Sequence, residues 1–159
     1  MTAFDESEAL LAIQTALEVG VDIGFRVHIV RSLDPTTWNN IEPPCFCFKD
    51  GEQNVSENDR CHVDYSFTGI IASKTKDEFG GSVVGRVPTA TFPGVVYYSA
   101  MIANLLDYIN IQSIISLTNS NLQGSKVISL SPSESVLIDE SGEWQTKEIS
   151  AIMRFRINE

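Results

Sequence analysis

The side chains best suited to chemistry lie in the middle of the chain. Cys45-Phe-Cys47 is followed by Cys61-His62, four donors of the kind that hold zinc. Their spacing argues against a site. Along an extended strand Cys45 and Cys47 share a face, whereas the consecutive Cys61 and His62 point to opposite faces. Buried apolar thiols are the plainer reading. With 3 cysteines at least one thiol stays unpaired within the chain, and a cross-strand or intermolecular disulfide drawn from Cys45, Cys47 and Cys61 would need oxidising conditions. His28 and His62, with Asp64, contain the parts of an acid–base pair. Each falls on the polar side of its segment, where a histidine is ordinarily a surface residue. No serine sits in a Gly-x-Ser-x-Gly elbow, and no phosphate-cradling glycine motif follows a strand. Gly80-Gly81-Ser-Val-Val-Gly85 is suited to bending a loop. The expectation is a protein that is not an enzyme and has no metal and no cofactor.

Arg154 and Arg156 are of another kind. Two guanidiniums separated by one residue share a strand face and repel unless they find acceptors. Those acceptors are either Asp or Glu side chains of the same surface or the acidic side chains of a neighbouring copy.

The elements that would position these residues follow from periodicity. Asp5 to Gly20 places Ala9, Leu10, Ile13 and Leu17 at helical spacing behind a cap at Asp5 or Ser7, and Gly20 stops the helix. The pattern then changes: Ile23, Phe25, Val27 and Ile29 alternate with polar residues, predicting a strand over about 22–33. Asp34-Pro35 supplies a turn, and Pro43-Pro44 is expected to hold the chain extended before a short strand at Cys45–Phe48. The polar stretch 49–59 reads as an exposed connection. From His62 the alternation returns, with Val63, Tyr65, Phe67 and Ile71 on one face. The segment 73–94 matches no period and is expected to be a long loop. Tyr98, Ile102, Leu105 and Ile109 then mark a second helix over 93–109. The chain closes with two β-rich segments, 126–139 and 147–157, around Glu140-Ser-Gly-Glu143, which predicts a terminal hairpin with Trp144 as an anchor. In the last strand Ile149, Ala151, Met153, Phe155 and Ile157 fall on one parity and Glu148, Ser150, Arg154 and Arg156 on the other.

These elements predict an α+β fold: one antiparallel or mixed sheet, two helices packed on one face, and a C-terminal β-hairpin, in a single domain over 1–159. A hydrophobic content of 43% and a charged content of 20% suit a soluble globular protein, and no apolar run is long enough to span a membrane. The acidic N-terminus has no signal-peptide character, so synthesis and residence in the cytoplasm are expected. A net charge of −10 excludes a protein that grips nucleic acid, but suits a surface that DNA passes without adsorbing.

The order helix, strands, loop, helix, hairpin, closing on Ser141-Gly-x-Trp144-x-x-x-Glu148-Ile149-Ser150 and an alternating last strand, resembles the tail terminator proteins of long-tailed, lambda-like bacteriophages. The detailed likeness covers about twenty residues; the order of elements covers the rest. The resemblance implies a virion protein at the tail–neck junction, assembled in the host cytoplasm as a hexameric ring. Such a ring caps the tail tube, stops its polymerisation and meets the head–neck connector, while DNA passes through the lumen. Arg154, Arg156 and Glu148 on the last strand and Lys74, Lys76 and Arg86 in or beside the long loop would then be the subunit or tube contacts. The cysteine cluster and the Pro43-Pro44 segment depart from the simplest form of that family. Two alternatives remain: another neck or head–tail joining ring protein, and a small ligand-binding domain or enzyme with a pocket between the second helix and the sheet, lined by Tyr65, Phe67, Tyr97, Tyr98 and Met101.

Overall fold

The computed structural model of the protein describes residues 4–56, 59–74, 95–108, 122–137 and 144–157. Helix α1 spans Glu6–Gly20. Asp5 caps it through an Oδ1 that accepts from the Glu8 N–H at 3.1 Å, and Glu6 and Glu8 suit the positive end of the helix dipole. Ala9, Ala12, Ile13, Ala16 and Leu17 form its buried stripe. Helix α2, Val95–Tyr108, buries Val95, Tyr98, Ile102 and Leu106. Leu106 therefore takes the place expected for Leu105. Leu105 instead reaches across to α1, where its methyl groups occupy the space that a side chain at Gly20 would fill.

Among the described residues the sheet has six strands: β1 Arg26–Ile29, β2 Cys45–Phe48, β3 Glu52–Ser56, β4 Asp59–Lys74, β5 Leu122–Leu137 and β6 Trp144–Ile157. Its order is β1-β2-β4-β6-β5, with β3 continuing beside β4 past the end of β2. All pairs are antiparallel except β1 with β2, which makes the sheet mixed. Parallel neighbours need a long crossover, and residues 30–44 supply it. The expected strand over 22–33 is correspondingly shorter. Gly24 turns the chain at a φ of 88°, Ile23 is fully exposed in that turn, and the chain leaves the sheet after Ile29. The Pro43–Pro44 peptide in the crossover is cis. The stretch read as a connection contains β3, whose residues 52–55 are all exposed and so show no alternation.

Both helices lie on one face. There α1 and α2 enclose Val27, Phe46, Phe48, Tyr65, Phe67, Ile71, Ile149, Ala151, Met153 and Phe155. On the opposite face, among the described residues, Val30, Trp38 and Ile41 of the crossover pack on Cys45, Cys47 and Ala72 at one end. Trp38 is fixed by its Nε1–H, which donates to the Ser32 carbonyl at 2.8 Å. The expected loop lies outside the described residues over 75–94, as do 138–143, Lys76, Arg86 and Ile109.

Candidate functional site

β6 is the central strand of the uncovered surface, with β4 on one side and β5 on the other. Alternation sends Ile149, Ala151, Met153 and Phe155 to the helices and Glu148, Ser150, Ile152, Arg154 and Arg156 to the open face. The β4 register sets His62 opposite Arg156, Asp64 opposite Arg154 and Thr68 opposite Ser150.

Arg154 and Asp64 form a two-pronged ion pair: Nε to Oδ1 at 2.8 Å and Nη2 to Oδ2 at 3.1 Å. Asp64 is thus an acceptor that the sequence left unassigned. Both residues had the right parity, but only the strand register shows that they meet. Farther along, Thr68 Oγ1 and Ser150 Oγ lie 3.1 Å apart. They belong to an open trough of about 540 Å³ whose lining includes Ser66, Thr68, Ser129, Ser131 and Ser150 together with Leu33, Ile152, Lys49 and Glu52. The register shift between Pro132 and Ser135 breaks the β5 ladder, and Ser133 Oγ accepts the Glu148 N–H at 3.0 Å in its place.

Of the six proposed contact residues, Lys76 and Arg86 lie outside the described residues, and the other four do not converge. Arg154 and Arg156 sit at one end of the face with His62 and Asp64. Glu148 pairs with Ile70, eight residues along β4 from His62, or about 26 Å at strand rise. Lys74 pairs with Trp144 at the opposite end, about 40 Å from the His62 position on the same measure.

The cysteine and histidine candidates are likewise dispersed. Cys45 and Cys47 pair with Ala72 and Ile70, so Cys61 lies about 30 Å away along β4. Cys45 and Cys47 are buried and Cys61 is exposed, and at that separation Cys61 is out of reach of either for a disulfide within one chain. Cys47 Sγ donates to Cys45 Sγ at 3.9 Å; that bond, with burial, pushes the Cys47 thiol far above its ordinary range and keeps it protonated. His28 pairs with Cys47 and is equally remote from His62. Among the described residues no three His, Cys, Asp or Glu side chains cluster as a metal site would require.

The pocket expected under the second helix is not open. Tyr65, Phe67 and Tyr98 are core residues, packed with Ile102 and Leu106. Tyr97 and Met101 line a shallow groove on the outer surface between α1 and α2. Tyr97 donates its hydroxyl to Asp22 Oδ2 at 2.7 Å, and that bond raises its pKa.

A scan against protein-family models matches none, and a search of curated proteins returns no relative. Among the described residues, no helix is long and apolar enough to cross a membrane.

Proposed function

We propose that this chain is a structural virion protein of a long-tailed phage, of the tail-terminator kind. Copies close into a ring, six in number if the resemblance holds, on the end of the tail tube. The ring stops tube growth and presents its other side to the head–neck connector. It is assembled in the host cytoplasm and resides at the tail–neck junction.

The observation that carries this reading is the placement of the last strand. β6 is paired along its length on both sides, so its open-face residues stand on a broad rigid platform rather than on a loop. Among the described residues both helices pack beneath that platform, and the crossover packs over its cysteine end. A sheet face with exposed charged residues at its end is a surface suited to another protein.

The test is incubation of the purified protein with tail tubes that lack a terminator, followed by size measurement and electron microscopy. Rings seated on tube ends, and tubes that no longer elongate, are the expected result. A monomer that ignores tube ends sinks the reading.

A further inference from the structure

The helix layer carries acidic side chains and no basic ones. None of the 11 Lys and Arg side chains falls within α1 or α2, whereas Glu8 and Glu18 lie on α1 and Asp5 caps it; Glu6 is turned to the Tyr65 hydroxyl. The outward ridge of α1 is Leu11, Thr15 and Val19, spaced by four and all exposed, with Leu11 at 55% and Val19 at 79%. Beside it runs the groove between α1 and α2, about 410 Å³, lined by Gly20, Tyr97, Ala100, Met101, Asn104 and Leu105. This surface combines exposed apolar side chains with carboxylates, and neither helix contributes a cation to it. At one end of the far face of the sheet Arg156 is exposed beside the Arg154–Asp64 pair, while Glu148 lies farther along β6.

We infer that the helix layer of one copy seats on the Arg154–Arg156 end of the open sheet face of the next. This rests on the ring reading above and names the two surfaces that join. The occupant of each surface is therefore a second copy of this chain, and the argument for it is charge complementarity. Two helix layers brought together would set carboxylate against carboxylate, and two sheet ends would set Arg156 against Arg156, so self-pairing of either surface is disfavoured. Because the two patches lie on opposite faces of the domain, a two-fold dimer cannot join them to each other. The contact is head to tail, which is the arrangement that generates a ring when the rotation closes. The exposed Leu11 and Val19 and the groove supply apolar area, and the charges set which surfaces meet.

Two single variants and their mixture test this. Glu18→Lys places a cation on the acidic layer, near the C-terminal end of α1 where positive charge favours the helix, so the fold is spared. Arg156→Glu reverses the sheet row at an exposed position and leaves the Arg154–Asp64 pair in place. Each variant alone is expected to need about tenfold more protein for half-assembly in sedimentation velocity. An equimolar mixture is expected to assemble nearly as the parent does, since a basic helix layer then meets an acidic sheet row and the converse contact is also complementary. Unchanged assembly of both single variants overturns the inference, as does a mixture no better than its components. The ring reading survives either result if the parent still caps tube ends. A parent that remains monomeric at all concentrations overturns both.

Discussion

Gly51 and Gly69 are glycines because of what stands next to them. A side chain at Gly51 would run into the carbonyl of Ser66, and one at Gly69 into the ring of Phe46 beside Phe48. Backbone cannot yield as a side chain can, so Gly51→Ala is expected to cost more than Gly69→Ala, with both in the range of about 1–3 kcal/mol that overpacking imposes. Urea melts of the two variants measure this. Tyr65 sits beside the same turn. Its hydroxyl accepts the Gly51 N–H at 2.7 Å, and burial, reinforced by the Glu6 carboxylate, raises its pKa although the Gly51 bond acts in the opposite sense. A phenol whose pKa is raised on folding stabilises the fold fully below its unfolded pKa of about 10 and loses that contribution as pH climbs above it. The stability difference between the parent and Tyr65→Phe is therefore expected to be constant, about 1–2 kcal/mol, up to about pH 10 and to shrink at higher pH. A difference that grows above pH 10 would contradict the assignment.

At the scale of elements, the β4–β6 ladder joins residues ninety apart in sequence and puts Asp64 against Arg154. The pair is partly exposed, with side chains 43% and 30% accessible, so its coupling in a double-mutant cycle with alanine is expected at only about 0.5–1 kcal/mol and to fall with added salt. A coupling of several kcal/mol would mean that the pair is shielded, as it would be within an assembly interface. The same ladder shows what the sequence could reveal. Helices α1 and α2 and the polar and apolar sides of β6 were legible because each has one buried face, and burial prints a period on the residues; β2, buried on both faces, was legible as a short apolar run between turn residues. β3 was not, since both its faces see solvent and Glu52–Val55 has no reason to alternate. The parallel pairing of β1 with β2 was hidden for a different reason: it depends on a crossover that packs Trp38 over Cys45 and Cys47, a contact between segments with no pattern of their own. The Asp64 partner of Arg154 was half legible, by parity but not by register. The interior position of Tyr65, Phe67 and Tyr98 was misjudged as a pocket wall because aromatic clusters line cavities and fill cores alike.

At the scale of the whole molecule, two electrostatic effects oppose each other when copies approach. Every copy carries a net charge of −10, which repels at long range, while the acidic helix layer and the arginine end of the sheet attract at short range. Strand addition is a poor way around this repulsion. The outer edge strand β5 is interrupted by three register shifts and carries Pro132, devices that blunt an edge, and β1 is four residues long with its Val27 carbonyl already bonded to Gln14. Association must therefore rest on faces, and its dependence on salt follows from the two ranges. At about 0.01 M salt the screening length is about 30 Å, comparable to the domain, and the net repulsion acts in full; at about 0.1 M it is about 10 Å and only neighbouring charges interact; at about 1 M it is about 3 Å and exposed pairs are screened as well. Assembly measured by sedimentation is expected to be weak at the lowest salt, strongest near 0.1–0.15 M and weaker again toward 1 M. An association driven by the apolar ridge of Leu11 and Val19 alone would instead strengthen steadily as salt removes the repulsion, and a steady rise would mean that the arginine row takes no part in joining the copies.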